Sequence, residues 1–262
     1  MSKPKLLITM GCSFTEGVGC YDVSKMDELK SYVSLPYEQF IHQTNNFHKL
    51  GWPNRVGKKL GYDKVINLGL AGSSNSGQVK QFSEKYLDKD FSEYEVLIIW
   101  LLTEPSRISF YSGGTILDIV PKSNNTLYNE YVRTIQDITI DTTLEEIFYI
   151  KMMEQICENK GYSLLISPLT SYISHDSLYS IYKSKYYLNP SPISPTEEIF
   201  DRKYLCDIPK GDTHFNELGY EKLSNNIMDN IRKFHPHLIT NTPKDDIEWE
   251  WDGFSLNWNE LI

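Results

Sequence analysis

The residues with the clearest chemical potential lie near the start of the chain, in Gly11-Cys12-Ser13-Phe14-Thr15-Glu16-Gly17. They follow an apolar run, Leu6-Leu7-Ile8-Thr9-Met10, that reads as a short buried strand. A serine just past the carboxyl end of a first strand is well placed to be a nucleophile. The glycines permit the sharp turn and leave backbone N–H groups to face a substrate oxyanion. The second candidate segment is Gly211-Asp212-Thr213-His214-Phe215-Asn216-Glu217-Leu218-Gly219-Tyr220, where Asp and His stand together at the opening of a helix. Serine early, with Asp and His late, are the ingredients of nucleophilic acyl transfer. Each segment also has a plain structural reading. Gly and Ser are common turn residues, and Asp212 suits a helix N-cap.

In these blocks the chain resembles the SGNH hydrolases, also called the GDSL family. Gly11-Cys12-Ser13-Phe14-Thr15 matches the first family block, with Cys12 in place of Asp. Asn67-Leu68-Gly69-Leu70-Ala71-Gly72-Ser73-Ser74-Asn75 matches the second, which carries Asn, Gly and Gly. Asp212 and His214 match the last block, although the family usually places its Asp three residues before the His. The third block, Gly-x-Asn-Asp after a middle strand, is poorly kept: Val96-Leu97-Ile98-Ile99-Trp100 leads into Leu101-Leu102-Thr103-Glu104. The resemblance spans residues 5 to 220. It implies a three-layer α/β/α sandwich with a mostly parallel, flavodoxin-like sheet.

The resemblance also implies roles. Ser13 attacks an ester carbonyl, and His214 removes the hydroxyl proton and later returns it to the leaving alcohol. Asp212 orients His214, with Asp207 as the fallback. The backbone N–H groups of Ser13 and Gly72 donate to the oxyanion. Counting from the third strand puts Thr103 where the family has its Asn, and Asn75 is a rival third donor. Cys12 reads as a small buried filler.

Composition narrows the partners. With 262 residues, 40% hydrophobic, the chain suits one domain with a sizeable core. A net charge of −9 argues against a general phosphate-backbone surface, so no nucleic-acid partner is expected. Arg55, Lys58 and Lys59 read as a solvated helix face. Cys12, Cys20, Cys157 and Cys206 show no Cys-x-x-Cys spacing, and no two His have the helical His-x-x-x-His spacing. No metal, cofactor or disulfide framework is expected. The apolar run after Met1-Ser2-Lys3-Pro4-Lys5 is too short for a signal-peptide core or a membrane span. The expectation is a cytoplasmic protein with no membrane partner.

The elements that must position these residues alternate. Strands are expected at 5–10, 64–68, 95–101 and 163–167. Helices are expected from Trp52-Pro53 through Leu60, after Asn75, from Thr142 or Thr143 through Lys160, and from Phe215 to Phe234. Glu145 and Glu146 fall at capping-box spacing from the two threonines. Repeating strand–helix units predict a parallel sheet covered on both faces, with ligands at the carboxyl ends of its strands. Insertions are expected at about 19–50, 107–140 and 168–210. Residues 1–240 form the α/β domain, and 241–262 an acidic tail whose Trp249, Trp251 and Trp258 either pack on the domain or contact a partner or second copy. Two function classes follow: a serine esterase, deacetylase or acyltransferase acting on a small or carbohydrate-linked ester, or a binding protein that keeps the scaffold without the chemistry.

Overall fold

The computed structural model describes residues 3–19, 45–104, 107–112, 115–119, 138–169, 178, 180–191, 193–196, 199, 201–205, 214–239 and 242–252. Lys5–Met10 forms β1, and Ser13–Glu16 is a single helical turn, α1. Trp52–Leu60 is α2, Lys64–Asn67 is β2, Asn75–Tyr86 is α3 and Glu95–Leu102 is β3. Ile108–Ser112 (β4) and Thr115–Ile119 (β5) pair as an antiparallel hairpin. Ile138–Lys160 is α4, Ser163–Pro168 is β6, Glu217–Phe234 is α5 and Glu248–Trp251 is β7.

Five strands form one parallel sheet in the order β6-β3-β1-β2-β7. The chain steps from β1 to β2 on one side, then crosses to β3 on the other. That reversal opens a crevice at the carboxyl ends of β1 and β3, where ligands of such sheets bind.

The strand sequences explain the layers. Side chains alternate between faces, and both faces of this sheet are covered. Leu7, Val65, Leu97, Ile99 and Leu165 pack with Val56 and Leu60 of α2 and Leu223, Ile227 and Ile231 of α5. Their neighbours Leu6, Ile8, Ile66, Ile98 and Trp100 pack on the opposite face with Val79 and Phe82 of α3 and Ile150 and Met153 of α4. Double coverage is why the strands read as continuous apolar runs.

Several boundaries differ from expectation for identifiable reasons. Helix α4 begins at Ile138, so Thr143 lies inside it and is buried. Glu146 does not fold back as a capping-box partner; its Oε1 accepts from the Asn75 amide at 2.5 Å. Helix α5 begins at Glu217, because Asn216 is the cap and accepts from the Gly219 N–H at 3.0 Å. Arg55 and Lys59 form part of the α2–α5 seam rather than a solvated face. Arg55 Nη2 meets Glu217 at 2.8 Å, and Lys59 Nζ donates to Ser224 at 3.0 Å. Most of the three expected insertions lies outside the described residues.

The acidic tail supplies a strand. Trp249 and Trp251 belong to β7, whose ladder pairs Lys64 with Glu248 and Asn67 with Trp251. Lys64 Nζ bridges Glu248 at 2.6 Å and Glu250 at 3.0 Å. Ile247 enters the core beside Val65 and Gly57. Truncation before Pro243 removes these contacts and should cost at least about 3 kcal/mol, or a melting temperature lower by about 6–12 °C. Calorimetry on the truncated and full chains checks this, and equal melting temperatures would show that β7 is dispensable.

Candidate active site

The site is built where β1 and β2 end. Ser13 opens α1 and is 6% exposed. The turn before it is tight: a Cβ on Gly11 would meet Thr15 Oγ1 at 2.0 Å. Cys12 is buried in the core, as a small filler would be, and its carbonyl accepts from the Thr15 and Glu16 amides.

His214 Nε2 lies 2.8 Å from Ser13 Oγ. The imidazole is held by neighbours from both ends of the chain. Phe14 packs tilted against it at 5.0 Å between centroids and meets Phe215 edge-on at 5.0 Å. Behind it, Asn216 accepts from Gly219 and donates to the Lys203 and Leu205 carbonyls. Tyr220 reaches across to the Val18 carbonyl at 2.8 Å. Asp212 and Asp207 lie outside the described residues.

Gly72 sits in a turn in which the Ser73 N–H donates to Leu70 O at 3.1 Å. Its φ of +80° is the left-handed region that the third residue of a type II turn requires. A Cβ there would meet nothing within 4 Å, so that side of the turn is open. The turn's other amides are all engaged. The Gly69 N–H donates to Asn67 Oδ1, Leu70 to Gly11 O, and Ala71 to Glu16 Oε2. Among the described residues the Gly72 and Ser13 amides have no acceptor. A relay of side chains ties this turn to the serine loop: Trp100 Nε1 donates to Gln78, Gln78 to Ser73, and Ser73 Oγ to Gly11 O.

The two proposed third donors meet at the end of β3. The Thr103 N–H donates to Asn75 Oδ1 at 2.7 Å, and Asn75 Nδ2 donates to Thr103 O at 3.1 Å and to Glu146. Both Asn75 amide hydrogens are therefore engaged within the protein. Thr103 Oγ1 is buried and has no hydrogen-bond partner among the described residues. Burial holds the Glu146 carboxyl well above the usual carboxylate range, which suits a neutral group behind Asn75.

One cluster escapes sequence reasoning. Glu16 and His48 are both buried, with His48 Nε2 3.8 Å from Glu16 Oε1. His48 stacks on Trp251 at 5.3 Å, and Trp251 Nε1 donates to Gly69 O at 3.1 Å. Desolvation dominates both groups: it pushes the Glu16 carboxyl up to about 7 and the His48 imidazole down to about 4. Alternation in Ile247-Glu248-Trp249-Glu250-Trp251 is the one sequence signal that points to the strand supplying Trp251. No group of three metal-ligating side chains occurs among the described residues, and no helix there is long and apolar enough to cross a membrane.

The sign of the Glu16 contribution follows from its raised folded-state value. The neutral carboxyl suits the fold, so its contribution is complete below the ordinary carboxylate range and is lost as pH rises through about 7. Glu16→Gln, which cannot ionise, should gain stability relative to the parent by about 3 kcal/mol between pH 4 and pH 9. Urea unfolding at the two pH values measures it, and a constant difference would show that Glu16 titrates normally.

No protein-family model matches the sequence, and no curated protein matches it. Solved structures do. One is a protein named for the G-D-S-L family of lipolytic proteins, from Desulfitobacterium hafniense DCB-2, at 14% identity and a TM-score of 0.47, covering 86% of this chain and 99% of that one. Another is a carbohydrate esterase whose active site is described as displaying divergent catalytic and non-catalytic binding functions. It is 12% identical with a TM-score of 0.52, over 91% of this chain and 68% of that one. The parallel sheet, its switch point and this likeness agree: the chain has an SGNH/GDSL-like α/β fold.

Proposed function

We propose that the protein is a serine ester hydrolase or acyltransferase that works through Ser13 and His214. The observation that carries this reading is the 2.8 Å contact between His214 Nε2 and Ser13 Oγ, made across 201 positions of sequence. With Nε2 unprotonated, the imidazole accepts the hydroxyl hydrogen, and Ser13 Oγ attacks the ester carbonyl. Proton transfer in the opposite direction releases the alcohol. Negative charge develops on the carbonyl oxygen, and the Ser13 and Gly72 amides are the backbone donors for it. Thr103 Oγ1 is the third donor, and Asn75 holds its strand end. Asp212 is the acid that orients His214, with Asp207 the alternative.

The substrate proposed is a small or carbohydrate-linked ester. A likeness to a carbohydrate esterase supports that choice at the level of scaffold. A second reading, a binding protein on the same scaffold, is favoured by the engaged Asn75 amide at the place where the third block is degraded.

Hydrolysis of p-nitrophenyl acetate and butyrate separates the two readings. Ser13→Ala and His214→Ala should each lose about 10⁴-fold in kcat with unchanged circular dichroism. A serine-directed phosphonate should label Ser13 in the parent. Equal rates in all three proteins and no labelling would favour the binding protein. Thr103→Val preserves shape and should lower kcat by about 10²-fold. An unchanged rate would leave a hole made of two backbone amides.

A further inference from the structure

We propose that Glu16 is a positioning residue of the oxyanion hole, holding the Ala71 amide so that the adjoining Gly72 N–H faces the serine. The proposal rests on the esterase reading and assigns a role within that same site.

Three observations carry it. Glu16 Oε2 accepts from the Ala71 N–H at 2.5 Å, one residue before the only turn amide without an acceptor among the described residues. The Glu16 backbone touches the other end of the turn, since a Cβ on Gly69 would meet Glu16 N at 2.1 Å. Glu16 also stands three residues after Ser13 in the same helical turn, so one rigid piece of backbone carries both the nucleophile and the clamp on its oxyanion donor.

The surroundings make the clamp sensitive to pH. Among the described residues the one titratable side chain facing the carboxyl is His48, from the 3₁₀ turn Asn45–Leu50. Trp251 of β7 faces His48 without charge, and the turn itself presents the Ala71 amide. With His48 held neutral, ionisation of Glu16 near pH 7 changes the Ala71 bond from a neutral to a charge-assisted one, which is shorter and about twice as strong. The turn is held most firmly above that pH.

The test uses two variants and two readouts. Glu16→Ala should lower kcat for p-nitrophenyl acetate by about 10²-fold with KM within roughly twofold, as expected for a contact that acts only as the oxyanion forms. Glu16→Gln keeps an acceptor for Ala71 and should restore most of that loss. The ratio of parent to Glu16→Gln kcat should rise roughly fivefold from pH 5.5 to pH 8.5. A flat ratio, or equal losses in both variants, overturns the proposal. The Ala71 amide resonance of the isotopically labelled full chain provides the second readout. It should titrate with a midpoint near 7 in the parent and stay still in Glu16→Gln. If the parent hydrolyses no ester yet Ala71 titrates this way, the clamp stands and the esterase reading fails. If Ala71 does not titrate, the clamp fails whatever the activity.

Discussion

The site depends on one fully buried amide. Asn67 ends β2 and has no exposed surface, yet every part of its side chain is used. Its oxygen accepts from the Thr9 hydroxyl and the Gly69 N–H, while its nitrogen donates to the Thr15 carbonyl and more weakly to the Glu16 carbonyl. A parallel sheet delivers its strand ends to one edge but leaves the loops beyond them to find their own positions. Asn67 joins the carboxyl ends of two strands to both loops of the candidate site. A buried amide with unmade bonds is costly, so the loops are held in the one arrangement that satisfies it.

The electrostatic character of the site follows from what surrounds those loops. Charged groups are plentiful on this acidic chain, but two carboxyls beside the candidate site, Glu16 and Glu146, are buried. Glu16 and Glu146 are both shifted upward by desolvation, and each faces an amide rather than a cation. Both order backbone or a side-chain amide by accepting from it inside the protein. Ion pairs lie on the α2–α5 seam and along the edge strand, and Arg107 meets Glu104 at 3.7 Å just beyond Thr103.

Much of this architecture is legible in the sequence, for physical reasons that also mark the limits. The β1, β2, β3 and β6 runs are apolar at every position because both faces are covered, and glycine and proline punctuate them. The Ser13–His214 contact and the Gly72 turn are legible because a serine in a glycine-bounded turn after a strand, a left-handed turn and a late histidine each narrow the residue types that fit. The start of α4 is not, because a threonine followed three residues later by glutamate describes a cap only when that glutamate has no better partner; Asn75, far away in sequence, is the better partner. His48 and Trp251 are not legible as neighbours either. One lies in a stretch without periodicity and the other in a segment whose acidity masks its alternation. Only the tertiary fold brings them to Glu16.

Strand β7 sets an order of events for a chain made from one end. Ser13 precedes the histidine it contacts by 201 positions. The indole that backs the Gly69 carbonyl is made after both. The sheet cannot take its fifth strand until α5 has been translated and laid down, so nearly every contact of the site is non-local, and such topologies fold slowly. Until then the Gly69 carbonyl lacks its indole donor. The strand that pairs with β2 at the sheet edge thus also brings the indole beside the turn of the candidate site, and it follows both Ser13 and His214 in the chain.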